Sequence, residues 1–170
     1  MLPNGPFYRL KALKMISLTL IRPQLFDLKT LVLARHAQHV VLIHFPIGLF
    51  VTAVAFDLIG CWSNRRGFAD AAYYNLLVAA LSTIPVIASG ILAWRLQLEG
   101  QSLKGTLLLH LILGSISGVL ISLAWWLHFR SRKREQEVPM YRFAIEAVAV
   151  LVVMATAHLG GFLSGVNTPS

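Results

Sequence analysis

Four stretches of about twenty predominantly apolar residues, 39–60, 71–96, 105–127 and 143–166, occupy most of the chain and constrain it more than any motif does. About 20 such residues in a helix cross ~30 Å of hydrocarbon. Backbone in lipid must satisfy its polar groups internally, so each stretch is expected to be an α-helix. The pattern predicts an all-α integral membrane protein, a four-helix up-and-down bundle over residues 36–166. Composition agrees: 56% of the 170 residues are hydrophobic and 13% charged, against roughly a quarter charged in globular proteins. The formal net charge of +8 would suggest nucleic acid in a soluble protein. Here the basic residues flank the spans, so the positive-inside rule accounts for them and no nucleic-acid partner is expected. The single cysteine, Cys61, allows no intramolecular disulfide and no CxxCH haem-attachment motif.

Residues 1–35 mix aliphatic residues with Arg9, Lys11, Lys14, Arg22, Lys29 and Arg35, and Pro23 interrupts any helix. The segment lacks the uncharged core and cleavage site of a signal peptide and reads as a basic amphipathic segment on the membrane surface. Loop three carries Arg130, Arg132, Lys133, Arg134 and Arg142, and loop one carries Arg65 and Arg66. Loop two holds Arg95 and Lys104, and the C-terminal tail has no basic residue. This asymmetry predicts cytoplasmic loops one and three and outward termini, although the six basic residues of the N-terminal segment pull the other way.

Histidines at membrane depth are the main chemical signal. In an up-and-down bundle, His44 on span one, His110 on span three and His158 on span four share a layer roughly 9–12 Å below one surface. His39 lies above them at the interface. Intramembrane ionisable residues are costly and are commonly functional. Each of the three opens a stripe of small residues: Gly48 and Thr52, Gly114 and Gly118, Gly161 and Gly165. Such stripes would admit a flat group, and facing imidazoles suit six-coordinate haem iron. The expected axial pair is His44 with His110 or His158, with His39 binding a second haem or donating to a propionate. Arg35 or Lys104 would also meet propionates. Because all the candidates share one layer, at most two haems on one side of the membrane are expected, and no transmembrane stack.

Blander readings stand beside this one. Gly114 and Gly118 form a GxxxG, which commonly means close helix packing, and the histidines would serve as interhelical hydrogen-bonding groups. Another metal or a pigment is a further alternative. Zinc is a weaker one, because no acidic residue shares the histidine layer. Asp57 and Glu146 lie toward the opposite surface, where ion pairs with Arg66 or Arg142, or a proton route, would use them. His36 and His128 fall outside the layer and read as solvated or interfacial. Pro46 is expected in the first turn or two of span one. Pro85 is expected to kink span two and free the carbonyl of Leu81, with Ser82, Thr83 and Ser89 near enough to satisfy it.

The segments HVVLIHFPIGLFVTAVAFDLIG, SGILAWRL, LLHLILG and AHLGGFLSGV resemble the bacterial membrane family filed as domain of unknown function 2231 (DUF2231), over residues 36–166. The marks are His39 and His44 with Phe45-Pro46-Ile47, then His110, then His158 before Gly160-Gly161. Val40 stands where the family usually has Pro, Ala93-Trp94 where it has Asp-Trp, and Gly114 where Asn is frequent. The family has no assigned reaction. Some members are joined to c-type cytochrome domains, which implies redox company, a bacterial inner membrane and an outward-facing histidine side.

Together these readings predict a b-type cytochrome-like electron-transfer subunit carrying haem b, with membrane lipid, a quinol, other subunits of a redox complex and a c-type cytochrome as partners. The alternative is an accessory subunit of a respiratory or photosynthetic complex, without chemistry of its own. Short loops leave little room for the substrate site of a stand-alone enzyme. A transporter finds little support, with no inverted repeat and no charged residue at mid-membrane.

Overall fold

The computed structural model describes residues 35–97, 100, 102–134 and 138–164, without the side chains of residues 35–37, 96 and 97. The N-terminal segment therefore lies outside the described residues, except that Arg35 opens the first helix. Four helices follow in order: α1 (Arg35–Ser63), α2 (Arg66–Gln97), α3 (Gly105–Lys133) and α4 (Arg142–Leu163), and no strand is found among the described residues. The shortest, α4, has 22 residues, about 33 Å of helix. All four are long and apolar enough to cross a bilayer.

Packing follows chain order. The α1·α2 contact is the most extensive, α3·α4 comes next, α2·α3 joins the two hairpins, and α1·α4 is slight. The first turn is tight because Asn64 takes a positive φ of 52°, a left-handed conformation that asparagine tolerates. Gly60 also helps, because a Cβ there would lie 3.2 Å from the backbone nitrogen of Ala69.

The interior of every helix follows a seven-residue repeat. On α1 the inward positions are His39, Ile43, Pro46, Phe50, Ala53 and Asp57; on α2 they are Ala72, Leu76, Ala79, Thr83, Val86 and Gly90. On α3 they are His110, Gly114, Ser117, Ile121, Ala124 and His128; on α4, Arg142, Glu146, Ala149, Val153, Thr156 and Gly160. Alternating steps of three and four are the spacing of antiparallel bundles packed knobs-into-holes. Phe50, Leu76, Ile121, Ala149 and Val153 fill the middle. Burial along the seams is not uniform. The ends bearing Asp57, His128 and Glu146 are fully buried, whereas His39, Gly90, His110 and Gly160 are only half-buried. The bundle is closed at one end and splayed at the other.

Two sequence expectations are modified. Pro46 lies well inside α1 because the helix already begins at Arg35, and it is buried on the seam. Helix α2 runs unbroken through Pro85. The hydroxyls of Ser82, Thr83 and Ser89 bond the carbonyls of Ala79, Ala80 and Val86, so Leu81 is not their acceptor. Each serves the turn preceding it, as small hydroxyl side chains on helices do.

At the closed end, Arg132 on α3 donates to Asp70 on α2 at 2.7 Å, with both side chains about half exposed. Exposed pairs of this kind contribute about 0–1 kcal/mol. Asp70→Ala is therefore expected to leave the unfolding free energy in mixed micelles within about 1 kcal/mol of the parent.

Candidate functional site

The seven-residue seams place polar groups in two separate layers. His39 and Asp57 are eighteen residues apart on α1, as are His110 and His128 on α3. Eighteen residues make five helical turns, so each pair shares a face ~27 Å apart along its helix. One layer holds two imidazoles and the other holds an ionic cluster.

At the splayed end, the rings of His39 and His110 lie close together, with centroids 6.5 Å apart and planes at 90° in an edge-on arrangement. His39 Nδ1 lies 2.9 Å from Ser89 Oγ. The Ser89 hydroxyl proton already goes to the Val86 carbonyl, so its oxygen accepts and His39 Nδ1 donates. His110 Nδ1 donates to the carbonyl of Thr156 at 3.1 Å. In the neutral tautomer, both rings therefore carry their lone pair on Nε2.

Each ring rests on a glycine of the neighbouring helix. A Cβ at Gly90 would lie 3.0 Å from His39 Cε1, and one at Gly160 would lie 3.2 Å from His110 Cε1. A methyl group at either position would force the imidazole to move. Between the two hairpins opens a cavity of about 480 Å³, walled largely by aliphatic side chains such as Ile43, Ile87 and Leu107. His39, Thr83, His110, Ser117 and Thr156 are among its polar lining residues, and Gly114 and Gly118 give it width.

Of the histidines and glycines singled out from sequence, the structure brings His39, His110, Gly114 and Gly118 to this cavity. His44 is exposed on the outer face of α1, its Nδ1 donating to the Val40 carbonyl of its own helix at 2.6 Å. It lies five residues from His39, about 140° around the helix, so the two cannot both face inward. His158 is exposed and packs edge-on against Phe162, centroids 4.9 Å apart. Gly48 is exposed, with open space where a Cβ would stand. Gly160 rather than Gly161 meets the His110 ring and lines the cavity. Lys104 is exposed just before α3.

At the closed end, Arg142 Nε donates to Asp57 Oδ2 at 2.6 Å, and Arg142 Nη1 donates to the Val138 carbonyl at 2.8 Å. The partner of Asp57 is thus Arg142, while Arg66 is exposed. His128 Nε2 lies 3.4 Å from Glu146 Oε1 and 3.9 Å from Asp57 Oδ2. His128, expected to be solvated or interfacial, is buried at 3% exposure, because it occupies an inward position of the α3 seam. Glu146 is 1% exposed, and its Oε2 has no hydrogen-bond partner among the described residues. The sequence assigns Asp57 and Glu146 ion pairs with Arg66 or Arg142, or a proton route, and sets His128 apart, whereas the seams bring Asp57, His128, Arg142 and Glu146 together.

Fold and sites define a polytopic helical membrane protein with an imidazole pair at one end and a buried ionic cluster at the other. The family described as predicted membrane protein, DUF2231, matches residues 35–167, and the chain belongs to it. No curated protein and no solved structure matches the chain.

Proposed function

We propose that this membrane protein is a b-type cytochrome-like electron-transfer subunit that binds haem between His39 and His110. The observation that carries the reading is the close, perpendicular imidazole pair, with both Nδ1 atoms anchored on neighbouring helices. Two imidazoles bound to one metal through opposite nitrogens have ring centres roughly 6 Å apart, given metal–nitrogen bonds of about 2.0–2.1 Å. The observed 6.5 Å suits that arrangement. Metal-ligating histidines nearly always donate their other N–H to a carbonyl, carboxylate or water, which fixes the tautomer and raises basicity. The Thr156 carbonyl fills that role for His110, and the Ser89 oxygen fills it for His39. The cavity volume lies within the about 300–1,000 Å³ of cofactor and ligand pockets, and the mostly apolar lining with few polar groups is typical of them.

Haem bound there would supply one-electron exchange. The contribution of this chain is to hold both rings in fixed planes, to keep water away with aliphatic walls, and to leave one side open toward lipid. By the positive-inside rule, the basic loops at the opposite end support an outward-facing histidine layer. That orientation favours a bacterial inner-membrane location with periplasmic termini. It also favours a quinol or membrane subunit as electron donor and a periplasmic c-type cytochrome as acceptor.

A second reading, an accessory subunit of a larger complex, draws on the exposure of His44 and His158. A histidine facing hydrocarbon is unfavourable, so these outer faces suit contact with another subunit. The two readings are compatible, and a pyridine haemochrome assay on purified protein separates them. The haem reading expects about one haem b per chain, whereas protein free of haem leaves only the accessory role.

The glycine contacts add a graded test. Gly160→Ala is expected to tilt or displace the His110 ring by a few tenths of an ångström. The protein should stay folded, with a shifted or broadened α-band in the reduced spectrum. An α-band identical to the parent's would show that the ring does not depend on the Gly160 surface.

A further inference from the structure

The buried cluster at the closed end has a geometry that an ion pair does not explain. Asp57 on α1, His128 on α3 and Glu146 on α4 each offer one ligand atom, all within 4.8 Å of one another. We infer that these three side chains form a binding site for a divalent transition-metal ion of the zinc class, separate from the histidine pair.

Three observations support the site. Tetrahedral zinc with bonds of about 2.0–2.2 Å sets its ligand atoms roughly 3.3 Å apart. His128 Nε2 already stands 3.4 Å from Glu146 Oε1 and 3.9 Å from Asp57 Oδ2. Second, Glu146 is 1% exposed, yet its Oε2 lacks a partner among the described residues. An unsatisfied buried carboxylate oxygen is costly, and a cation that Glu146 grips through both of its oxygens would remove that cost. Third, Arg142 Nε donates to Asp57 Oδ2 at 2.6 Å and fixes that carboxylate in place, as outer hydrogen bonds commonly orient ligating carboxylates. With Arg142 and Asp57 offsetting each other, the remaining charge is the carboxylate of Glu146, so a divalent ion leaves the site only singly positive.

The donor set indicates the metal class. One imidazole nitrogen and two carboxylates suit Zn²⁺ and its first-row neighbours better than Ca²⁺ or Mg²⁺, which take oxygen ligands in larger number. Three protein ligands leave a fourth position for water. Because the ligands come from three helices, the ion would pin α1, α3 and α4 at the end where the basic loops emerge.

The test uses tag-free full-length protein in detergent, stripped with chelator, reloaded with Zn²⁺ and dialysed. About one zinc per chain is expected by elemental analysis. His128→Gln and Glu146→Gln should each lose most of it, while His39→Ala and His110→Ala should retain it. Helicity and size-exclusion profile show which variants fold. If Glu146→Gln does not fold, the zinc-edge absorption spectrum of the parent protein decides instead, with one imidazole in an all-nitrogen-and-oxygen shell expected. No zinc retained by the parent, full retention in both folded variants, or a zinc shell with two or more imidazoles would each overturn the site. The last result would place the ion on the His39–His110 pair or on exposed histidines.

Discussion

His110→Ala protein is expected to lose the low-spin haem signal, with haem per chain reduced at least tenfold, while His44→Ala and His158→Ala keep it at the parental level. The contrast follows from where the side chains point. His110 lies on the inward seam of α3, its ring seated on Gly160 and its Nδ1 held by the Thr156 carbonyl. Removing it leaves His39 as the only imidazole on the cavity wall among the described residues. His44 and His158 are directed away from the cavity. Ser89→Ala should fall between these outcomes, because losing an outer hydrogen bond to a ligand typically costs 10–100-fold in metal affinity. Haem titration of the detergent-solubilised variants, followed by absorbance, measures all four. Retention of the low-spin signal in His110→Ala would exclude it as a ligand. Its loss in His44→Ala would mean that α1 turns its opposite face inward.

The second large effect is on stability. Arg142→Met is expected to destabilise the metal-free protein by about 3–5 kcal/mol, the usual consequence of leaving one charge of a buried pair uncompensated. Both side chains are largely buried, at 9% exposure for Arg142 and 5% for Asp57. Glu146 already lies beside the pair as a second acidic group. Asp57→Leu combined with Arg142→Met should recover most of the loss, since apolar replacements of whole buried pairs are often neutral or better. Unfolding in mixed detergent micelles with chelator present, followed by far-ultraviolet circular dichroism, provides the numbers. A single variant within about 1 kcal/mol of the parent would show that the pair behaves like a solvated surface contact.

The architecture was legible in the sequence because lipid leaves few choices. Each apolar stretch became one helix, and most boundaries moved outward, while α4 ends at Leu163 rather than at 166. Thus α3 continues past the expected 127 through Arg130 and Arg132 to Lys133, and α1 starts at Arg35 rather than near His39. The pairing of histidines was less legible. Depth alone grouped His44, His110 and His158, since rise per residue fixes height along the bundle. Depth says nothing about direction around the helix, which is where the grouping loses support.

The missing signal was the seven-residue repeat. Asp57 has His39 five full turns away, and His128 has His110. Starting from either acidic or apolar core position, the repeat selects His39 over His44 on α1. On α4 it selects Thr156 and Gly160, with His158 lying between them and directed outward. The same repeat turns His128 inward, which the neighbouring Arg130 and Arg132 had disguised as an interfacial position. The glycine contacts were beyond sequence reasoning, because Gly90 and Gly160 matter only through rings on other helices.

The most direct test of the central claim is the electron paramagnetic resonance spectrum of the oxidised, purified parent protein. A haem held by His39 and His110, whose planes stand at 90°, would give a strongly anisotropic low-spin ferric signal, integrating to about one spin per chain and absent from His110→Ala. A protein without a low-spin ferric signal, or one whose signal survives the loss of both His39 and His110, would contradict haem binding by this pair.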